Sequence, residues 1–511
     1  MTERRLDELT SWHADWTGLR VAVLGLSVTG FSVADTLTEL GAEVLVLSES
    51  ASEEYERLVP IIGAALEIGP LSDVPDALRA FGPEVVIASP GFPPSHPVIR
   101  WTQEAGIPLW GDVELAWRVR DKVVRPDGSP AEWVLITGTN GKTTTTQLTA
   151  TLLVEGGLRA APCGNIGIPV LDAVRDPAGF DVLVVELSSH QLWYLGQSAP
   201  EAELYPYSTV CLNLADDHLV WHGSARAYRD AKAIVYRNTR VACVYNKADA
   251  ATREMVEEAD VVDGARAIGF DLGIPGPSDF GIVEGILADR AFLDDRANSA
   301  LELTTIADLE RAGLSAPHVV QNILAASALA RSLGVEPEAI ARALSAFRMD
   351  AHRIQVIARH RGITWVDDSK ATNPHAAASS LRAYPGAVWV VGGDLKGVDI
   401  AELVADVGST ARAAVVIGVE RAEVVAAFAR HAPAVPVFEV VTGDTGEVMN
   451  RVVEIATGIV DGEGTVLLAP AAASFDQFSS YADRGRRFAE AVQGWIDRGS
   501  AHDAGGSPEA H

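Results

Sequence analysis

The sequence predicts an α/β protein built from three domains. At 511 residues the chain is too long for one hydrophobic core. Short apolar runs of strand type recur along it, at residues 21–24, 134–136 and 388–391, and each leads into a glycine-rich or polar turn. Helical patterns follow these turns, and such alternation is typical of parallel sheets covered by helices. The expected domains are residues 1–113, 114–350 and 351–498, followed by a disordered tail at 499–511.

Composition and charge exclude several classes of protein. The net charge is −28, from 41 Lys and Arg against 69 Asp and Glu, whereas nucleic-acid binding would need a basic surface. No apolar run is long enough to cross a bilayer, and residues 1–8 contain no signal-peptide core. The three cysteines, Cys163, Cys211 and Cys243, form no C-x-x-C pair. We therefore expect a cytoplasmic protein without membrane insertion, which binds phosphates only where positive groups are concentrated locally.

A nucleotide-binding loop is predicted at residues 134–144. Three apolar residues end a strand, glycines stand at 138 and 141, and Lys142 and Thr143 open a helical run. In such a unit the loop N–H groups face phosphates, the lysine supplies a charge, and the hydroxyl reaches Mg²⁺. The usual G-x-x-x-x-G-K-[ST] pattern is incomplete, because Ile136 stands at its first glycine. A tight turn with a surface lysine is the alternative, but the combined residues favour an ATP site.

Glu186 follows the apolar residues 182–185, at the end of a predicted buried strand. A buried carboxylate is costly unless it is paired or lies near a cation. The nucleotide loop upstream favours Mg²⁺ as that partner, and a buried, hydrogen-bonded glutamate is the alternative. Two later residues give no such signal. His218 has the pattern of a cap or core histidine, and Lys232 has the spacing of an exposed helical lysine.

Polar turns at strand ends indicate two further crevices. In the first domain the turn at residues 25–30 opens a helix and Ser89-Pro90-Gly91 follows another strand, an arrangement that suits a diphosphate. The glycines are spaced G-x4-G instead of G-x-G-x-x-G, so a purely structural turn is about as well supported. In the third domain, three polar clusters each follow an apolar strand and together predict one crevice. These clusters are residues 367–373, 392–397 and 471–478.

Taken in order, the motifs resemble those of the Mur ligases, the ATP-dependent enzymes that add amino acids to bacterial cell-wall precursors. The resemblance extends over about residues 18–490. It rests on Thr137-Gly-Thr-Asn-Gly-Lys-Thr-Thr, Glu186-Leu-Ser-Ser, Asn213 with Asp217-His218, His318 with Asn322, His352-Arg353, Asp368-Ser-Lys-Ala-Thr-Asn and Gly392-Gly-Asp-Leu-Lys.

The resemblance implies a Rossmann-like UDP-substrate-binding domain, a central P-loop-type ATPase domain and a Rossmann-like amino-acid-binding domain. It implies that ATP phosphorylates the carboxylate of UDP-N-acetylmuramoyl-L-alanine and that the amine of D-glutamate attacks the acyl phosphate. Such a reaction needs charge neutralisation, ordered reactants and a dry site. The D-S-K-A-T-N motif is present and the diaminopimelate-type D-N-P-R is absent, which favours D-glutamate. The implied cofactors are ATP and Mg²⁺ at two sites, and the expected partners of the monomer are these small-molecule substrates.

The resemblance also implies site residues. The catalytic residues would be Lys142, Glu186, His218, Lys232 and Lys370. The metal ligands would be Thr143, Glu186, His218 and Lys232 as a carbamate, which replaces the expectation of an exposed lysine. ATP would contact Gly138, Thr139, Asn140, Gly141, Lys142, Thr143, Thr144, His318, Asn322, Arg353 and Asp368. The UDP-substrate would contact Val28, Thr29, Gly30, Ser48, Gly91, Asn165, Ser188 and Gln191. D-Glutamate would contact Lys370, Thr372, Lys396, Ser474 and Tyr481.

Some positions depart from the family pattern. Ser48-Glu49 stands where relatives carry an aspartate for the uracil, and Tyr481 stands where they have phenylalanine. The alternative functions are another Mur-type or folylpolyglutamate-type ligase, a sugar-nucleotide-binding module without catalysis, and a dehydrogenase. Glu186, His218 and Lys232 argue against a pure binding module, since binding alone needs no metal ligands. The missing G-x-G-x-x-G argues against a dehydrogenase.

Overall fold

The computed structural model describes residues 6–395, 399–441 and 446–504 and contains three β-sheets. The strands are β1 (Arg20–Leu24), β2 (Glu43–Ser48), β3 (Ala65–Ile68), β4 (Val85–Ala88), β5 (Leu109–Trp110), β6 (Glu132–Thr137), β7 (Ala160–Gly164), β8 (Val182–Glu186), β9 (Ser208–Cys211), β10 (Ala242–Asn246), β11 (Arg266–Phe270), β12 (Asp279–Val283), β13 (Ile286–Asp289), β14 (Leu301–Thr305), β15 (Gln355–His360), β16 (Ile363–Asp367), β17 (Val388–Gly392), β18 (Ala413–Ile417), β19 (Val437–Glu439) and β20 (Gly464–Leu468).

Helices connect most of these strands. They are α1 (Val28–Glu39), α2 (Glu53–Ile61), α3 (Asp76–Phe81), α4 (Pro97–Glu104), α5 (Asp112–Arg118), α6 (Lys142–Glu155), α7 (Val170–Arg175), α8 (Ser189–Leu195), α9 (Leu219–His222), α10 (Ala225–Ala233), α11 (Ala250–Glu257), α12 (Ile306–Ala312), α13 (Pro317–Ser332), α14 (Pro337–Ala346), α15 (Pro374–Ala383), α16 (Ala401–Val407), α17 (Arg421–His431), α18 (Val448–Ile459) and α19 (Tyr481–Ala504). Short 3₁₀ turns lie at Pro200–Ala202, Ile234–Tyr236 and Gly408–Thr410.

The first sheet is parallel throughout and has the order β3-β2-β1-β4-β5. Its central strands are buried on both faces, so their sequences are continuous apolar runs instead of alternating ones. The strand order reverses between β1 and β4, and the turns that follow these strands therefore lie side by side. Ser89 Oγ, after β4, donates to the carbonyl of Gly25, after β1, at 3.4 Å.

The second sheet has nine strands in the order β14-β13-β12-β11-β10-β9-β6-β8-β7. It is parallel from β7 to β12 and antiparallel from β12 to β14, where the chain forms hairpins. β6 lies between β8 and β9, so the ends of β8 and β9 flank the nucleotide loop. α6, which follows that loop, packs against α13.

The first two sheets share one hydrophobic cluster and belong to one compact unit that ends at Phe347. α5 connects them and runs across the boundary predicted at residues 113 and 114. The Arg118 guanidinium lies 4.0 Å from the ring centroid of Trp110 in the first sheet, and the Trp117 ring meets Trp133 of the second sheet edge-on at 5.3 Å. The predicted break therefore falls inside a helix that packs on both sheets, and the polar loop at residues 120–131 follows this helix.

The second compact unit begins at Arg348 and contains the third sheet. The strand order is β15-β16-β20-β17-β18-β19, with β15 antiparallel to its neighbour, and apolar clusters cover both faces. β16, β20 and β17 are adjacent, so the described parts of the three polar clusters, residues 367–373, 392–395 and 471–478, lie at one edge of the sheet. The three sheets confirm the predicted α/β fold.

The last helix, α19, is assigned as far as Ala504, and the disordered tail predicted at 499–511 stays a prediction. The first strong helix-stop signal in this part of the sequence is Gly505-Gly506, which explains why the helix continues. Residues 505–511 lie outside the described residues. Within the described parts of the chain, no helix combines the length and apolarity needed to cross a bilayer.

Candidate functional site

The nucleotide loop joins β6 to α6 and contains two glycines that have no room for a side chain. Gly141 precedes α6 with φ +84°, and Gly138 has φ +153°, both in the region that favours glycine. A Cβ on Gly141 would lie 2.5 Å from Oδ1 of Asn322 in α13. A Cβ on Gly138 would lie 2.9 Å from Cβ of Leu212, after β9. The loop is therefore packed against α13 on one side and the end of β9 on the other.

Side chains and backbone hold the loop in this shape. The Asn140 N–H donates to Oδ1 of Asn213 at 2.8 Å, and Nδ2 of Asn213 donates to the Asn140 carbonyl at 3.1 Å. Nζ of Lys142 donates to the carbonyls of Gly138 and Thr139, both at 2.9 Å. The ammonium group of Lys142, the predicted phosphate-binding lysine, is therefore bound to the backbone of the nucleotide loop itself.

Glu186 ends β8 beside this loop, opposite Ile136 of β6. The residue is only 2% exposed. Its Oε1 accepts a hydrogen bond from Nδ2 of Asn165 at 2.9 Å, whereas Oε2 is buried and has no hydrogen-bond partner among the described residues. A buried carboxylate oxygen without a partner is costly, so this atom fits a bound cation. The described residues contain no group of three His, Cys, Asp or Glu side chains that could hold a metal by itself, so hydroxyl, phosphate or water oxygens would complete a cation site.

Lys232 in α10 lies under the nucleotide loop and is 1% exposed. Nζ donates to the Gly138 carbonyl at 2.9 Å and to Oγ1 of Thr137 at 3.3 Å. Burial, followed by repulsion from Lys142, lowers the pKa of Lys232 to about 7. The expectation from spacing, an exposed helical lysine, is wrong because α10 turns this face toward β6.

His218 heads a histidine cluster that the sequence did not predict. It precedes α9 with a left-handed backbone, φ +54°, and its ring lies edge-on to His190, with centroids 4.6 Å apart. Burial, followed by repulsion from His218, lowers the pKa of His190 to about 3 and that of His222 to about 4. Both are therefore neutral at pH 7. Repulsion from Lys142 and Lys232 also contributes to the low pKa of His190, so the histidine cluster lies near the positive charges at the nucleotide loop.

α13 contributes the two other predicted nucleotide residues of the first unit. Asn322 is buried and contacts the position of Gly141, as described above. His318 lies one turn earlier, in the first turn of the helix, and is half-buried. Pro317 opens this helix at a position where its missing N–H removes no helical bond.

The predicted UDP-substrate residues of the first sheet lie around the turn after β1. Val28, Thr29 and Gly30 open α1, and a Cβ on Gly30 would lie 2.0 Å from the carbonyl oxygen of Gly25. Gly91 is exposed in the turn after β4. The Ser48 hydroxyl is already used within the fold, since it donates to the Ser50 carbonyl at 2.7 Å and accepts from the Leu26 N–H at 3.2 Å.

The other predicted substrate residues lie at the start of α8. Oγ of Ser188 accepts from the Gln191 N–H, and Oε1 of Gln191 accepts from the Ser188 N–H, both at 3.1 Å, which forms a capping box. Nε2 of Gln191 donates to Oδ2 of Asp112 at 3.1 Å. Burial raises the pKa of Asp112 to about 6. The sequence did not identify Asp112 as a site residue, because its partner Gln191 lies far along the chain.

In the second unit, two carboxylates lie at the end of β16. Oδ2 of Asp367 lies 2.6 Å from Nδ1 of His352. Asp368 accepts from the Ile354 N–H at 3.2 Å and from the Ser380 hydroxyl, and burial raises the pKa of Asp368 to about 6. His352 and Ile354 have left-handed backbones, φ +67° and +46°, so Arg353 is carried by a strained turn.

The predicted D-glutamate residues lie at the same edge of the third sheet. Nζ of Lys370 lies 3.9 Å from the ring centroid of Tyr481. Thr372 is half-buried on the loop after β16, and Ser474 is buried on the loop after β20. Lys396 lies outside the described residues.

Arg484 joins these two loops from behind and was missed by sequence reasoning. Although it is 0% exposed, its guanidinium donates to Oγ and O of Ser369, at 2.9 and 2.8 Å, and to the carbonyls of Ala472 and Ala473, at 3.2 and 3.3 Å. Burial lowers the pKa of Arg484 to about 10, so it remains charged at neutral pH. No local pattern distinguishes it from the other arginines of the same helix.

Comparisons with known protein families agree with this arrangement. Residues 136–330 match the Mur ligase middle domain, and residues 352–472 match the Mur ligase glutamate ligase domain. The chain is 61% identical over 502 residues to the UDP-N-acetylmuramoylalanine–D-glutamate ligase of Leifsonia xyli subsp. xyli, covering 98% of this chain and 97% of that protein. It is 47% identical over 483 residues to the ligase of the same name from Streptomyces avermitilis, covering 94% and 99%.

Solved structures of similar fold include two from Thermotoga maritima. A UDP-N-acetylmuramate-alanine ligase has a TM-score of 0.55 and 19% identity, covering 93% of this chain and 99% of that chain. A MurF ligase in complex with ADP has a TM-score of 0.53 and 18% identity, covering 89% and 95%. Because both identities are below 20%, these two matches show only that the folds are similar.

Proposed function

The chain belongs to the Mur ligase family, and from that premise we propose that it joins D-glutamate to UDP-N-acetylmuramoyl-L-alanine in peptidoglycan precursor synthesis. It is an ATP-dependent ligase: ATP phosphorylates the substrate carboxylate, and the amine of D-glutamate displaces phosphate to form the amide. The observation that carries this function is a full-length identity of 61% to a ligase of that name. The glycine loop beside a buried, unpartnered carboxylate oxygen of Glu186 supplies the matching chemistry.

The first unit binds the phosphates of ATP at the nucleotide loop. N–H groups of residues 138–144 and the N-terminus of α6 face the phosphates, and Lys142 adds a positive charge. Asn322 and His318 contact the nucleotide from α13. This is supported by the two glycines, which let the loop backbone approach a ligand closely. In the second unit, Arg353 and Asp368 contact the phosphates and the ribose.

Mg²⁺ is proposed at two positions, held by Thr143, Glu186, His218 and a carbamate on Lys232. When bound, it neutralises charge as the phosphoryl group meets a second anion. Oε2 of Glu186, buried and without a hydrogen-bond partner in the described residues, supports a cation there. The lowered pKa of Lys232 supports the carbamate, because only a neutral amine reacts with carbon dioxide.

The UDP end of the first substrate is proposed to bind at the turns after β1 and β4, with its muramoyl arm directed toward Asn165, Ser188 and Gln191. Support comes from the adjacency of these turns and from the N-terminus of α1, which follows the turn after β1. The residues at the UDP end are Val28, Thr29, Gly30, Ser48 and Gly91.

D-Glutamate carries two carboxylates and is proposed to bind Lys370, Lys396, Thr372, Ser474 and Tyr481. The Lys370 ammonium above the Tyr481 ring supports this, since a cation held by an aromatic face can pair with a carboxylate. The buried charge of Arg484 behind the same loops adds a positive potential. We further propose that the enzyme acts as a cytoplasmic monomer.

The purified enzyme tests this function through phosphate release. Release should require ATP, UDP-N-acetylmuramoyl-L-alanine and D-glutamate together. L-Glutamate, L-lysine and diaminopimelate, offered separately, distinguish the related ligases. Equal release with L-glutamate or L-lysine would show that the substrate assignment is wrong.

A further inference from the structure

α8 (Ser189–Leu195) links the two ends of the proposed substrate site. Its N-cap, Ser188, lies two residues after Glu186, so the start of the helix is fixed at the carboxylate beside the nucleotide loop. Its last turn carries Tyr194, which faces the first sheet. The helix therefore extends from the reacting end of the site toward the turns proposed for UDP.

Tyr194 contacts the turn after β4 through its hydroxyl. The side chain is 0% exposed, and Oη donates to the carbonyl oxygen of Phe92 at 2.7 Å. The residue is closely packed, because a Cβ on Gly111 would lie 3.0 Å from Cβ of Tyr194 and the Trp193 ring lies edge-on to the Tyr194 ring at 4.9 Å. A hydroxyl held this firmly fixes the position of the carbonyl that it binds.

The turn that contains Phe92 is packed against the turn after β1. A Cβ on Gly25 would lie 3.1 Å from the Phe92 ring and 2.9 Å from Oγ of Ser89. Gly25 in turn contacts Gly30, where α1 begins. A shift of the Phe92 carbonyl is therefore passed on to the helix N-terminus that faces the diphosphate.

We propose that Tyr194 is a positioning residue for the UDP end of the substrate. Its hydroxyl holds the turn at residues 89–92 against the turn at residues 25–30, and α8 ties both to the strand end that carries Glu186. The inference rests on the proposed function. Tyr194 is not one of the residues proposed to contact ATP or the metal, and its hydroxyl binds the Phe92 carbonyl.

Tyr194→Phe tests this role, since it removes the hydroxyl and keeps the ring. Calorimetry with UDP should show affinity weakened by about threefold to tenfold, the loss expected for one hydrogen bond. The affinity for ADP should stay within about twofold, because the nucleotide loop is untouched. In the full assay, KM for the UDP-substrate should rise while kcat and KM for D-glutamate are retained.

Tyr207→Phe is the matched control. Its hydroxyl also donates to a backbone carbonyl, that of Ser332 at 3.2 Å, within the same compact unit. This variant should bind UDP and ADP like the wild type. Thermal unfolding of both variants measures any general loss of stability.

The outcomes separate the two proposals. If wild type binds UDP and is active but Tyr194→Phe binds UDP equally well, the positioning role is wrong and the ligase assignment stands. If UDP and ADP affinity fall together, or if Tyr207→Phe behaves like Tyr194→Phe, the effect is general and the positioning role is also wrong. If the wild type neither binds UDP nor uses the substrate, the proposed function fails first.

Discussion

At the scale of single residues, Lys232 is a buried amine without an ion-pair partner in the described residues. Its Nζ donates to the Gly138 carbonyl instead, and the nearby charge of Lys142 repels it. With a pKa of about 7, about half of the amine is neutral at pH 7, and the neutral form can add carbon dioxide. The carbamate is an anion, so the same neighbouring lysine would then attract it.

Lys232→Ala is expected to lower ligase activity by about tenfold to a hundredfold, because the carboxylate supplied by the carbamate is lost. A short-chain carboxylic acid added to this variant should restore part of the activity by occupying the vacated space. The measurement is phosphate release with and without the acid.

Lys247→Ala provides the control for this experiment. Lys247 lies in the same unit, pairs with Asp279 at 2.7 Å and is not one of the proposed nucleotide or metal residues. Its substitution should leave activity nearly unchanged and insensitive to the acid. Unchanged activity of Lys232→Ala would contradict the carbamate.

At the scale of elements, α19 packs so closely on β16 that one of its residues must be glycine. A Cβ on Gly485 would lie 2.2 Å from Nδ1 of His352 and 2.6 Å from Oδ2 of Asp367. In most helices alanine is about 1 kcal/mol more favourable than glycine. At position 485 alanine should instead be less favourable than glycine, because the added carbon would separate His352 from Asp367.

Gly485→Ala is therefore expected to destabilise the second unit by about 1–3 kcal/mol, the usual cost of overpacking. Gly494→Ala in the same helix is the control, since its Cβ would meet only Nη1 of Arg498, at 3.5 Å. That change should be neutral or slightly stabilising. Hydrogen exchange of peptides from α19 and β16 measures both effects. Faster exchange in both variants, or in neither, would contradict the packing argument.

Strands and their following turns were predictable because the signals are local. β6, β8 and β16 are continuous apolar runs, and glycine or carboxylate residues stand where they end. The residues that hold these turns from other elements were not predictable. Arg484 and Tyr194 lie in ordinary helical sequence, and their importance depends on partners far along the chain, Ser369 for Arg484 and Phe92 for Tyr194. Such contacts are set by tertiary packing, which leaves no periodic pattern.

At the scale of the whole molecule, an overall charge of −28 opposes the binding of anionic substrates. At the candidate sites, positive side chains offset this negative charge locally. Lys142 and Lys232 lie at the nucleotide loop, and Lys370 and Arg484 lie at the crevice of the third sheet. The sequence predicted such local concentration from charge alone, but only the fold shows that two of these cations, Lys232 and Arg484, are buried.

The proposed ATP residues belong to two compact units, since the nucleotide loop precedes Phe347 and Arg353 and Asp368 follow it. If one ATP molecule contacts both sets, its binding should favour one arrangement of the two units, so we expect ligands to close the protein. Small-angle scattering should show a smaller radius of gyration with UDP-N-acetylmuramoyl-L-alanine and a non-hydrolysable ATP analogue than without ligands. UDP alone should change it little, because its proposed contacts lie in the first unit. Asp368→Ala should weaken the response by removing a contact from the second unit. Identical dimensions with and without both ligands would contradict closure.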